Sequence, residues 1–193
     1  MGSSSQSVPL SDEQILALLE SLPNDSACKR WQFVFQLLAT YGLRPVEVLH
    51  LEIRPDGLWC NYQKRSGGGT TKPRLLGALH PEWEAEWNLL DRIAASEAMP
   101  PFGGGVADAA RRYLDRQQGW NELKAQGATS YGFRHGYALR AHQQYGLSVR
   151  VTSAVMGHST ETHLRQYGVW VDQDTITFAL QAGIRYRQLT RDV

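Results

Sequence analysis

Cysteine is scarce in this chain, with two in 193 residues, Cys28 and Cys60. Their spacing fits neither a disulfide framework nor a metal cluster, and both read as buried free thiols among apolar neighbours. No apolar run approaches the ~20 residues that span a bilayer. The N-terminus has no hydrophobic signal core, so the composition points to the cytoplasm and away from the membrane. Low complexity and internal repeats are missing too, apart from the polar opening MGSSSQS, which reads as a flexible segment over residues 1–9.

Net charge is also small, at +1, yet the charges are unevenly placed. Residues 30–80 carry seven cations (Arg30, Arg44, Arg54, Lys64, Arg65, Lys72, Arg74) against three anions (Glu47, Glu52, Asp56). Residues 128–170 carry four arginines against Glu161, whereas residues 81–127 are net acidic. The two basic stretches can share one positive face. With 42% hydrophobic and 20% charged residues, the chain can bury a sizeable core, and a single domain over 10–193 is expected.

The pattern predicts a mainly α-helical fold with a small antiparallel β-sheet (α+β). Ser11 and Gln14 form a capping box for a first helix that ends near Leu22, before Pro23. A second helix from about Ser26 to Tyr41 is apolar over much of its circumference and should be central, with Gly42 as its stop. Pro45 fits the first turn of a short third helix through Leu51, which puts Arg44 at its entrance. LWCNYQ and PRLLGAL read as strands joined by a long glycine-rich hairpin loop. Helices follow at about 82–96 and 106–118. Beyond Tyr131 come four helical stretches, the last from about Asp174 to Leu189.

Within this framework, YGLRPVE places Glu47 three residues after Arg44, where it can brace the guanidinium from behind. Arg134 lies in an apolar and aromatic stretch, GFRH, so burial there requires an anionic partner, which a phosphate would supply. His158 in MGHST stands at a helix end, where it can cap or serve as a hydrogen-bond donor or proton carrier. Tyr167 follows in LRQYG. A tyrosine hydroxyl attacks phosphorus usefully only where cations hold the phosphate and take up its developing charge, and two arginines and a histidine are available here. Of the eight tyrosines, Tyr167 has that setting, while Tyr113 has no comparable box nearby.

These ordered boxes resemble the catalytic domain of the tyrosine recombinases, the phage integrase family. The resemblance covers nearly everything from Leu10 onward. GLRPVEVLHL is similar to the first arginine box, GFRH to the second, and MGHS to the glycine-histidine box, with Tyr167 at the nucleophile's place. The hairpin lysine is matched by Lys64 at a strand end, with Lys72 as its competitor in the same loop.

The resemblance implies a DNA recombinase or integrase that works through a 3′-phosphotyrosyl intermediate, without metal or other cofactor. Tyr167 would be the nucleophile. Arg44, Arg134 and His158 would stabilise the transition state, and Lys64 would protonate the leaving oxygen. Glu47, Tyr131 and His135 would support them. Double-stranded DNA would be the partner, bound by a homotetramer whose subunits are monomeric when free and associate with the nucleoid. Residues 170–193 would form a tail helix able to dock on a neighbouring subunit.

The chain departs from the family pattern in two places. Tyr131 stands where the family usually has histidine or lysine, and a phenol donates a hydrogen bond but carries no charge at neutral pH. Only about ten residues precede the first helix, so the family's helical core-binding domain is expected to be absent. Two alternatives share these residues: DNA relaxation of the type IB topoisomerase kind, and a DNA-binding regulator that kept the fold with weakened chemistry.

Overall fold

A computed structural model describes residues 7–63, 65–66, 69–168 and 173–189. Helix α1 (Asp12–Ser21) begins as its capping box dictates: the Ser11 hydroxyl accepts from the Gln14 amide, and the Gln14 side chain accepts from the Ser11 amide. Helix α2 (Ser26–Tyr41) is capped by Asp25, whose carboxylate accepts from the Ala27 and Cys28 amides at 2.9 Å each. Phe33, Val34, Phe35, Leu37 and Leu38 are all buried, so α2 forms the centre of the core. Its aromatic rings continue outward, Trp31 stacking on Tyr113 at 4.9 Å and Phe35 on Phe133 at 5.4 Å.

Gly42 ends α2 in the left-handed region, φ 61°. A side chain there would be strained, and a β-carbon would lie 2.5 Å from the Tyr137 ring. The chain then enters a 3₁₀ turn, Pro45–Leu49. This is shorter than the helix through Leu51 that the sequence predicts, because Leu51 already opens a strand.

Strands β1 (Leu51–Arg54), β2 (Gly57–Cys60) and β5 (Arg74–Leu75) form an antiparallel sheet in the order β1-β2-β5. Pairing of Trp59 with Leu75 and Cys60 with Arg74 joins the two expected strand segments. Strand β1 was not foreseen; it is turned back onto β2 at Pro55-Asp56. Between β2 and β5, β3 (Arg65–Ser66) pairs with β4 (Gly69–Thr70) as a small ribbon.

Where one helix is predicted over 82–96, α3 (Pro81–Glu86) and α4 (Leu89–Ala94) are separated by Asn88 in the left-handed region, φ 52°. Helix α5 (Val106–Leu114) stops four residues earlier than expected; a 3₁₀ turn and the short α6 (Asn121–Ala125) follow.

Helix α7 (Gly132–Gln143) contains the boundary between two compact units, one reaching to Tyr137 and the other starting at Ala138. The second unit holds the rest of α7 with α8 (Val149–Met156), α9 (Thr160–Tyr167) and α10 (Gln173–Leu189). A β-carbon at Gly146 would meet Ala179, Phe178 and Ala182 of α10 in ordinary contact, while Ile176, Phe178, Leu180 and Ile184 remain substantially exposed. Among the described residues, no helix is long and apolar enough to cross a membrane.

Candidate active site

In the first unit three arginines converge on one carboxylate. Pro45 opens the 3₁₀ turn, and Glu47 folds back over its entrance. One Glu47 oxygen accepts from the Arg44 amide and the other from Arg44 Nη1, both at 2.7 Å. Arg74 Nη2, from β5, donates to Glu47 Oε2 at 2.8 Å, and Arg134 Nη1, from α7, lies 3.8 Å from the same oxygen. Arg134 Nη1 also donates to the Gly42 carbonyl at 2.6 Å, which ties its position to the end of α2.

The Glu47 side chain is 0% exposed, against 16% for Arg44, 8% for Arg74 and 4% for Arg134. Burial alone would raise the Glu47 pKa. Hydrogen bonding and charge from Arg74, then the charges of Arg134 and Arg44, outweigh it and hold the group below its ordinary 4.5. Among the described residues, three guanidinium groups face one carboxylate in a largely water-excluded place, an arrangement suited to an anion site. Arg44 retains the most exposure and is the outermost of the three.

Arg74 is the residue that sequence reasoning missed, having been counted only as part of a basic stretch. Its signal was a lone cation opening an otherwise apolar strand, RLLGAL. Lys64 lies outside the described residues, while Lys72 is exposed just before β5. Tyr131 is exposed, its ring 6.3 Å from that of His135. His135 itself is buried, and burial first, then the charge of Arg134, lower its pKa from 6.5 to about 4. It is therefore neutral at physiological pH and cannot replace the cation that Tyr131 lacks. Tyr113 is a core residue: burial, then a hydrogen bond with Cys28, push its hydroxyl well above the ordinary range.

The second unit holds the other candidate residues. Gly157 ends α8 in the left-handed region and Ser159 caps α9, its hydroxyl accepting from the Thr162 amide, so His158 sits in the tight turn between them. Tyr167 ends α9, its ring 5.9 Å from His158 and 4.6 Å from His163. It is 1% exposed. His163, also 1% exposed, links two further imidazoles. His158 Nε2 lies 2.8 Å from His163 Nδ1, and His163 Nε2 lies 2.7 Å from His142 Nε2. Neither His142 nor His163 was singled out from the sequence. His163 could have been found, since it precedes Tyr167 by four residues and so shares its helical face; His142 has no such pattern.

No protein-family model matches the chain. In sequence it is 25% identical over 169 residues to Excisase A of Nostoc sp., which covers 81% of this chain and 34% of that protein. It is 30% identical over 143 residues to Tyrosine recombinase XerD of Xanthomonas campestris pv. campestris, covering 66% of this chain and 44% of that protein. The chain thus spans well under half the length of these relatives.

In structure it resembles the Tn1549 transposon integrase in complex with circular intermediate DNA, with a TM-score of 0.59 at 15% identity over 90% of this chain and 66% of that one. It likewise resembles XerA recombinase, with a TM-score of 0.53 at 18% identity over 92% of this chain and 64% of that one. The fold is that of a tyrosine recombinase catalytic domain. By sequence the chain is similar to proteins named as excisases and as a tyrosine recombinase.

Proposed function

We propose that this chain is the catalytic domain of a site-specific recombinase that cleaves and rejoins double-stranded DNA. The observation that carries this reading is the arginine cluster: a buried carboxylate holds Arg44 and Arg74 with Arg134 close by, which gathers three guanidinium groups of the kind that bind a phosphate. Arg44 and Arg134 bind the nonbridging oxygens and take up charge as the phosphorus becomes pentacoordinate. Arg74 and Glu47 position them.

In the proposed reaction the Tyr167 oxygen bonds to phosphorus as it passes its proton to His158, and the bond to the 5′ oxygen breaks. Lys64 protonates that oxygen, releasing a 5′-hydroxyl. The phosphotyrosyl ester retains the energy of the broken bond, so a 5′-hydroxyl from the same or a partner strand reverses the step. Because Tyr167 is 1% exposed, its hydroxyl reaches a phosphate only after the end of α9 shifts, which makes attack conditional on DNA or partner binding.

Relatives named as excisases and a recombinase favour strand exchange over simple relaxation. Assembly as a tetramer on DNA fits the exposed apolar residues of α10. One exchanged helix buries too little area to hold an oligomer without DNA, so the free protein should be monomeric.

The test starts by selecting duplexes that the protein binds from a random library, then nicking them near the selected site. Cleavage beside a nick releases a short fragment that cannot rejoin, so a covalent adduct accumulates and is seen on a denaturing gel. Tyr167→Phe should bind these duplexes equally well and form no adduct; undiminished adduct in that variant removes Tyr167 from the role.

A further inference from the structure

His142, His163 and His158 form a ladder whose far end is fixed. His142 Nδ1 lies 3.0 Å from the Leu147 carbonyl oxygen. A carbonyl has no hydrogen to give, so Nδ1 of His142 must carry the proton. Neutral His142 therefore presents Nε2 as an acceptor, and the 2.7 Å contact makes His163 Nε2 the donor. Neutral His163 then accepts at Nδ1 across 2.8 Å, which makes His158 Nε2 the donor. In the neutral ladder all three tautomers are determined, and Nδ1 of His158 carries no proton.

The count changes with a single added proton. Each of the two inter-ring contacts holds one hydrogen, and a second would set two donors against each other at under 3 Å. The added proton therefore resides on His158 Nδ1. The positive charge can sit on any of the three rings, because moving the shared hydrogens toward Leu147 carries it to His163 and then to His142.

We infer that the His142–His163–His158 ladder acts as one single-proton group, in which His163 and His142 are positioning residues that set the tautomer of His158 and draw positive charge away from it. Its role in catalysis rests on the recombinase reading above. There, neutral His158 offers a lone pair at Nδ1, and the protonated ladder offers a donor at the same atom, so one atom serves both halves of a reversible cleavage.

The rings do not converge on a point, and no metal-holding group of His, Cys, Asp or Glu occurs among the described residues. Among the described side chains, the ionisable groups on the surrounding elements are Arg140 (buried, α7), Arg150 (exposed, α8), Glu161 and Arg165 (exposed, α9), Tyr167 at the end of α9, and Arg185 and Arg187 (exposed, α10). His142 also lines a cleft of about 380 Å³ with Leu147, Val149, Ile176 and Leu180, so the far end of the ladder borders the α10 tail.

The first measurement is made on the full chain, labelled with ¹⁵N-histidine and free of DNA. Scalar couplings across both N–H···N contacts are expected, with His142 as the Nδ1–H tautomer and all three rings shifting at one common midpoint for one proton. Independent midpoints, uptake of more than one proton while the protein stays folded, or an Nε2–H tautomer at His142 would overturn the ladder.

The second measurement is the pH profile of adduct formation. His163→Gln retains one donor and one acceptor, so it preserves the His158 tautomer; His163→Leu does not. Adduct formation at neutral pH should fall about tenfold in His163→Leu, the lower end of what losing an orienting partner costs. Its pH limb should move as well, while His163→Gln keeps the parent limb. Parent-like profiles in both variants would refute the positioning role. Absence of adduct from the parent at every pH would instead refute the recombinase reading and the role built on it, leaving the ladder's proton stoichiometry to stand or fall on the resonance data.

Discussion

Replacing Glu47 with glutamine keeps the shape of the side chain and removes the charge beneath three arginines. The carboxylate accepts three hydrogen bonds at 2.7, 2.7 and 2.8 Å, with a third guanidinium 3.8 Å away. The amide can keep one accepting oxygen, but its NH₂ then faces an N–H donor. Removing one member of a buried ionic group costs about 3–5 kcal/mol, since the remaining charges stay buried. At roughly 2–4 °C per kcal/mol for a chain of this size, the melting temperature should fall by about 6–20 °C.

Sulfate or phosphate should restore more stability to the variant than to the parent, because an anion can replace the lost carboxylate charge. The pH dependence follows from the sign of the shift. Glu47 titrates below its ordinary 4.5 in the folded protein, so its contribution is complete above 4.5 and disappears as pH falls through the lowered value. Parent and variant should therefore differ at neutral pH and converge only in acid. Thermal melts by circular dichroism across pH 3–8 provide the assay. A variant that melts within about 2 °C of the parent at neutral pH, a shift smaller than 1 kcal/mol would give, would refute the account of the cluster.

Other perturbations test separate parts of the structure. His135, held at about 4 against an ordinary 6.5, binds its proton more readily when unfolded. Its effect is absent above 6.5, and stability falls as pH drops from there toward 4, by up to about 3 kcal/mol; His135→Gln should flatten that slope, as urea titrations would report. Gly42→Ala combines a left-handed backbone with a β-carbon 2.5 Å from the Tyr137 ring, and should cost about 2–5 kcal/mol in chemical denaturation. Truncation after Asp172 should abolish assembly on DNA in light scattering while the melt shifts little; a collapsed melt with unchanged association would assign α10 to its own core. A 5′-bridging phosphorothioate, whose leaving group needs no proton, should rescue cleavage by Lys64→Ala, and rescue of Lys72→Ala alone would transfer the acid role to Lys72.

Local chemistry made much of this fold legible. Ser11 with Gln14 and Gly42 after Tyr41 mark helix ends through hydrogen bonds and backbone conformations that act within a few residues, and those boundaries agree with the structure. The continuous apolar run of α2 could only be central. Strand β1 was missed because Leu-Glu-Ile-Arg is short and exposed, and its strand character comes from pairing with β2. Asn88 divides α3 from α4 through a left-handed conformation that the i, i+4 pattern of Trp83 and Trp87 conceals.

In the site, Arg44 and Glu47 could be connected because they are three residues apart. Arg74 reaches the same carboxylate across 27 residues of sequence, and only the β2–β5 pairing brings it there. His142 is likewise joined to His163 by the packing of helices, with no periodicity in the sequence to announce it.

The convergence of three arginines on Glu47 also constrains how this chain can change over generations. Loss of the glutamate removes the countercharge of three arginines at once, two of them buried, whereas loss of any single arginine leaves the carboxylate with partners. The order of substitutions is therefore not symmetric: an arginine can drift first, and the glutamate can follow only after the cations that depend on it are gone. A lineage that no longer needs the cluster would leave a carboxylate beside vacated arginine positions, and descendants carrying the three arginines over a neutral residue should not accumulate.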